Sequence, residues 1–215
     1  SSSEAYAWTI LNTMRADPVK FANDLEGMYK RTISSAHGYS VNDPIWKDIR
    51  EGIANSRHKE PRFNMALTLL RAQPRLGPLA WEDRLETMSD EHNTWMRNYG
   101  YTHSLFDGGT GTLPRALPGF TQQTFAGYDP VNATVLGSAF NVSWGENIGY
   151  STGSLSNTKN SYSVGSSGYR QRQAYKDIVD FIIEVNNSSA DHPLGHLENL
   201  LGRDTYSNSG FGLAG

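Results

Sequence analysis

Residues 17–29, Asp17-Pro18-Val19-Lys20-Phe21-Ala22-Asn23-Asp24-Leu25-Glu26-Gly27-Met28-Tyr29, carry the pattern that decides the fold class. Asp17 is a capping residue, and Pro18 suits the first position of a helix, where no N–H is needed. Phe21, Leu25, Met28 and Tyr29 then recur at helical spacing. The segment reads as an amphipathic helix that starts abruptly. Upstream, Ala7, Ile10, Leu11 and Met14 predict a helix over 4–15. Downstream, 34–41 reads as loop. Asp43-Pro44 repeats the start signal, with Ile45, Ile49 and Ile53 behind it. Phe63, Leu67 and Leu70 predict a further short helix that ends before Pro74. Leu85, Met88, His92, Trp95 and Met96 form the longest apolar face of all.

The second half is less regular. Residues 104–134 are rich in Gly, Pro and Thr and read as loop with short elements. Phe140, Val142 and Trp144 alternate as a strand would. Residues 151–168 are a Ser/Gly/Asn-rich stretch that reads as a flexible surface loop. Ala174, Ile178, Phe181, Ile182 and Val185 mark the last clear helix, and 195–201 is a short apolar-polar segment. The expected class is α+β, mainly helical with a few strands, in a single domain spanning 1–215.

Composition narrows the function classes. A chain of 215 residues can bury roughly 70% of its unfolded surface, so it needs no disulfide or metal to fold. It has no Cys, which excludes thiol catalysis, Cys-zinc sites and a disulfide scaffold. A formal net charge of −3 argues against a nucleic-acid partner bound through phosphates. No apolar run approaches the length of a membrane span. Low charge with abundant Ser, Asn, Thr and Gly leans towards an extracellular location. The opening Ser1-Ser2-Ser3-Glu4 shows no signal peptide, and the expectation is a targeting segment already removed.

Six His are candidates for chemistry. His37 and His58 sit in polar loops and read as having a surface or core role rather than a functional one. His92, on an apolar helix face, reads first as a satisfied core imidazole. His192 and His196 are four apart, but Pro193 and Gly195 oppose a helix between them, and no metalloprotease motif is present. Four segments are more telling together: Thr102-His103-Ser104, Gly145-Glu146-Asn147-Ile148-Gly149, Glu184 at the edge of the last helical stripe, and Gly195-His196-Leu197-Glu198-Asn199-Leu200-Leu201. Two imidazoles and two carboxylates meeting in one place could bind a divalent metal or share protons. They could equally form a buried polar cluster whose members satisfy one another.

In this order, these segments resemble the CAP superfamily (SCP-like; cysteine-rich secretory, antigen 5, pathogenesis-related), in its bacterial secreted branch. Trp144-Gly145-Glu146-Asn147-Ile148-Gly149 is the most specific match. The 195–201 segment followed by Gly210-Phe211-Gly212 is the second. Asn12, Arg15, Asp17-Pro18, Phe21-Ala22, Pro78-Leu79-Ala80-Trp81, Glu91-His92 and Tyr99-Gly100-Tyr101-Thr102-His103 extend it over nearly the whole chain, with insertions at about 32–75 and 151–168. The resemblance implies an α-β-α sandwich, with a small antiparallel sheet between helices, around a cavity lined by His103, Glu146, Glu184 and His196. Asp180 or Asp191 could stand in for Glu184. His92, Glu198 and Asn199 take supporting roles.

Leu197 departs from the Arg usual after the last His, and the chain ends where the family has one more strand. It is therefore read as a fragment of a longer extracellular protein. The leading expectation is a secreted domain that binds zinc or another divalent metal, and a lipid, small molecule or protein partner. The alternatives are a metal-dependent hydrolase using Glu146 or Glu184 as base, and an adhesion module with an inert cavity.

Overall fold

The computed structural model describes residues 2–56, 59–81, 155–185 and 193–202, with the single residues Asp90, Asn93, Arg97, Asn147, Asn187 and Ala190. The chain divides into two compact units, Ser1–Leu79 with Ser151–Leu201, and Ala80–Tyr150 with Gly202–Gly215. The described elements belong to the first. They are seven helices and one two-stranded antiparallel sheet, an α+β arrangement dominated by helix.

Helix α1 (Ser2–Ala16) and helix α2 (Pro18–Lys30) break at Asp17. The Asp17 side chain accepts the Lys20 N–H at 3.0 Å, and Pro18 opens α2 as its sequence signal predicts. α2 ends at Arg31, which is left-handed at φ 59° and returns its N–H to the Gly27 carbonyl. Strands β1 (Ser35–Ala36) and β2 (Tyr39–Ser40) follow, paired Ser35 to Ser40 and Ala36 to Tyr39. The sequence reading had only a loop here. The turn between the strands, His37-Gly38, needs positive φ at both residues, 53° and 85°, as tight hairpins do.

Helix α3 (Pro44–Asn55) is capped by Asp43, whose carboxylate accepts the Ile45 N–H at 3.0 Å. Helix α4 (Lys59–Ala72) follows. The chain then runs back along α1: Asn12 Oδ1 accepts the Leu79 N–H at 2.6 Å, and Trp8 Nε1 donates to the Leu79 carbonyl at 3.1 Å. Helices α5 (Ser156–Ser161), α6 (Ser167–Ile183) and α7 (Gly195–Leu201) complete the unit. α6 packs mainly on α1 and also meets α3, α4, α5 and α7. The core is the set of stripes read from sequence: Leu11, Met14, Phe21, Leu25, Met28, Ile45, Ile49, Ile53, Leu67 and Leu70 are buried, with Trp46 and Tyr175.

The 151–168 stretch is not all loop. Helix α5 lies inside it, and Leu155 and Thr158 are fully buried. Leu155 gives α5 no side-chain cap. Asp48 of α3 supplies one instead. It is buried, and it accepts the N–H groups of Asn157 at 3.0 Å and Thr158 at 2.9 Å. Ser156 Oγ and Asn157 Nδ2 also donate to it, at 3.2 and 3.0 Å. Among the described residues, no helix is long and apolar enough to cross a membrane.

Candidate functional site

Glu184 stands where α6 ends. It caps the helix in the left-handed region, φ 58° and ψ 35°, a place that favours Gly. Its N–H returns to the Asp180 carbonyl, as does that of Val185 at 3.1 Å. The conformation costs about 1–2 kcal/mol for a residue with a Cβ. A carboxylate at a helix C-terminus also faces the negative end of the dipole. Yet Glu184 is only 1% exposed. Three donors offset these costs. Asn187 Nδ2 and His196 Nδ1 reach Oε2 at 2.7 and 2.8 Å, and the Leu197 N–H reaches Oε1 at 2.8 Å.

The arrangement fixes His196. A carboxylate only accepts, so the shared proton sits on Nδ1 and Glu184 sets the orientation of the ring. The Phe181 ring lies 5.1 Å from the imidazole, tilted by 48°. The His196 side chain is 25% exposed.

Helix α7, which carries His196, is held at both ends by buried arginines. Arg62 donates to the Pro193 carbonyl at 2.7 Å, just before the helix. Arg15 donates to the Leu200 carbonyl at 2.9 Å and, through Nε, to the Gly77 carbonyl at 2.9 Å. Burial holds the Arg15 guanidinium below its ordinary value. Leu194, Leu197 and Leu201 are buried beneath α7.

Of the residues singled out from sequence, Glu184 and His196 are therefore in contact. Asp180 is engaged elsewhere, in an ion pair with Lys176. Glu198 lies in the first turn of α7, half-buried, with its N–H on the Leu194 carbonyl at 2.8 Å, and Asn199 is half-buried beside it. His103, Glu146, His92, Asp191, His58 and His192 lie outside the described residues, as do the 104–134 loop, the strand read near 140–144 and the Gly210-Phe211-Gly212 segment. Of the helix read over 85–96, Asp90 and Asn93 are described, and both are helical. Among the described residues, no group of three or more His, Cys, Asp or Glu could hold a metal ion.

Sequence reasoning missed the supports. Asn187 follows the last apolar stripe, and no pattern there marks it as a support. Arg15 and Arg62 act on carbonyls far along the chain, 185 and 131 residues away, and leave no local signal.

A second titratable cluster surrounds His37, whose side chain is 3% exposed. The ring stacks on Phe21 at 4.2 Å, and Nδ1 meets Tyr175 Oη at 2.9 Å. Nε2 lies 3.5 Å from Asp24 Oδ2. Burial pulls its pKa down to about 4, with the Asp24 charge opposing and Lys20 adding a little. On α6, burial pushes Asp177 up to about 6. The Gln173 hydrogen bond opposes this, Asp180 adds to it, and Lys176 opposes it.

No protein-family model, curated protein or solved structure matches the chain.

Proposed function

We propose that the chain is a secreted CAP-like domain that binds a divalent metal, with His196 Nε2 as a ligand and Glu184 as the residue that orients it. The observation that carries this reading is the 2.8 Å contact between Glu184 Oε2 and His196 Nδ1. Histidines that ligate zinc characteristically donate their other ring N–H to a carboxylate or carbonyl, which fixes tautomer and ring orientation. The pair fits that pattern. Glu184 itself does not fit as a ligand here, because Oε2 already accepts two hydrogen bonds and the side chain is fully buried. Its role is positioning. Imidazole nitrogen favours zinc over calcium or magnesium. The resemblance names His103 and Glu146 as further members of the site, and implies the α-β-α sandwich. The observed hairpin falls in the 32–75 insertion, so it is not a strand pair of that sandwich.

Calorimetry with zinc chloride tests the reading on the wild type, His196→Ala, Glu184→Gln and His103→Ala. The expected result is saturable binding by the wild type and its loss in His196→Ala and His103→Ala. In Glu184→Gln, affinity should weaken by about 10–100-fold. Affinity should also fall as pH drops through the imidazole range, since protons compete for the same nitrogen. Equal heats from the wild type and a folded His196→Ala would overturn the reading.

One observation favours a second reading, a polar cluster kept for stability. Glu184 caps α7 through the Leu197 N–H, much as Asp48 caps α5. On that reading zinc gives no saturable heat with any variant, while Glu184→Gln still lowers the melting temperature.

A further inference from the structure

A polar cleft of about 350 Å³ opens between the end of α2, the start of α3 and the end of α5. Three cations line it, Arg31, Lys47 and Arg50, with the side chains of Asn42 and Asn160. The one acid in the lining, Asp43, is already neutralised: Arg172 grips both its oxygens, at 3.1 and 2.6 Å. The Asn157 amide is also spoken for, held by Asp48 Oδ1 at 3.0 Å and Glu51 Oε2 at 3.1 Å.

The cations are differently placed. Arg50 is fixed: it donates to the Met28 carbonyl at 3.0 Å and the Val41 carbonyl at 3.2 Å. Those contacts use two of its five N–H groups and none of its charge. Arg31 and Lys47 have no carboxylate partner among the described residues. Other basic residues of the unit do: Lys20 pairs with Asp24, Lys30 and Arg71 with Glu26, and Arg75 with Asp17. Burial first, and the nearby Arg31 charge second, hold the Arg50 guanidinium below its ordinary value. Arg31 and Arg50 are thus close enough for their like charges to act on one another. Arg31 is also held in the left-handed region at φ 59°, where an L residue is strained.

We infer that this cleft binds a tetrahedral oxyanion, phosphate or sulfate, carried on a small hydroxylated molecule. A guanidinium, an ammonium and amide groups suit an anion with several acceptor oxygens. The volume exceeds that of a bare anion, and the rest of the lining is amide and hydroxyl with a single proline. A sugar-like body suits it better than an apolar one. The inference is independent of the metal reading, which concerns the other end of α6.

Titration at constant ionic strength tests it, using inorganic phosphate, inorganic sulfate, glucose 6-phosphate, glucose 6-sulfate and glucose as probes. The expected result is saturable binding of at least one ester, tighter than its bare anion, with no binding of glucose. The ester preferred tells phosphate from sulfate. Lys47→Gln combined with Arg31→Asn should weaken binding by about tenfold or more. Asn tolerates the left-handed backbone, and both side chains are exposed, so the fold should survive. Arg75→Gln, which removes an exposed cation outside the cleft, should leave binding unchanged. The inference fails if binding does not saturate, if the double variant binds like the wild type, or if glucose binds as well as its esters.

Discussion

Replacing His37 with Gln removes a proton site that the folded chain suppresses and the unfolded chain does not. Gln keeps a polar group near Tyr175 Oη but does not titrate. In the unfolded state an imidazole takes its proton near 6.5, whereas burial holds His37 down to about 4 in the fold. Between those values the unfolded chain binds more protons, so stability rises with pH there. The His37 contribution is complete above about 6.5 and is lost as pH falls to about 4. That gap corresponds to roughly 3 kcal/mol, and the near-total burial of the ring leaves little solvent to screen it. Asp177 acts in the same window with the opposite sign. Its carboxyl is pushed up to about 6 from an ordinary 3.8, so here the folded chain binds more protons and acid stabilises. Asp177 keeps some solvent contact, which holds its share to about 2 kcal/mol. In the wild type the two largely cancel. The variants separate them. Relative to wild type, His37→Gln should gain roughly 3 kcal/mol between pH 7 and pH 4, and Asp177→Asn should lose about 2 kcal/mol over the same range. Urea unfolding read by hydrogen exchange in α2 and α6 at half-unit pH steps measures both. Stability profiles of wild type and His37→Gln that run parallel to within about 0.5 kcal/mol would refute the reasoning. So would a His37 ring titrating near 6.5 by NMR.

Three further outcomes follow from packing and caps. Asp48→Ala leaves the Asn157 and Thr158 N–H groups without their acceptor, so it should cost about 3 kcal/mol and speed exchange across α5; unchanged protection there would contradict the capping role. Glu184→Gly relieves about 1 kcal/mol of left-handed strain but removes an acceptor with three donors, so the melting temperature should fall, with a net loss of about 2 kcal/mol; a variant more stable than wild type would show that strain outweighs the hydrogen bonds. Gly27→Ala gains helix propensity of up to about 1 kcal/mol, but the new Cβ would lie 3.0 Å from both Cδ1 and Cγ1 of Ile33; overpacking costs about 1–3 kcal/mol, so chemical denaturation should show a net loss that disappears when Ile33→Ala is added.

The parts of the fold written in local chemistry were legible. Asp17-Pro18 and Asp43-Pro44 each specify a cap and a first helical residue in two positions, and α2 and α3 begin there. The helical stripes of α1, α4 and α6 were readable because one face of each is buried. What stayed hidden depends on partners far along the chain. Helix α5 looked like a loop because its sequence is polar and its cap, Asp48, lies 109 residues before Asn157. The hairpin was missed because His37 holds a left-handed conformation supported by Phe21 and Tyr175, which no local pattern announces. At the site, spacing brought Glu184 and His196 into consideration together. The family resemblance left Asp180 and Asp191 as alternatives to Glu184; Asp180 pairs with Lys176 whereas Glu184 turns towards α7, and Asp191 lies outside the described residues.

Asp48 and Glu184 solve one physical problem twice. Helices of six and seven residues are too short to persist alone, since nucleation is not repaid over so few hydrogen bonds. Each has its N-terminal N–H groups met by a buried carboxylate from a longer helix or its end, where the positive end of the short helix's dipole favours negative charge. For α7 the arrangement does more than stabilise. The Glu184 carboxylate caps the helix through one oxygen and holds the His196 imidazole through the other. Docking of α7 and orientation of the ring are therefore set by one side chain, itself locked by a left-handed backbone at the end of α6. Arg15 and Arg62, which fix the two ends of α7, belong to the same system. On the proposed reading, an imidazole held this way would lose little conformational freedom on binding a metal.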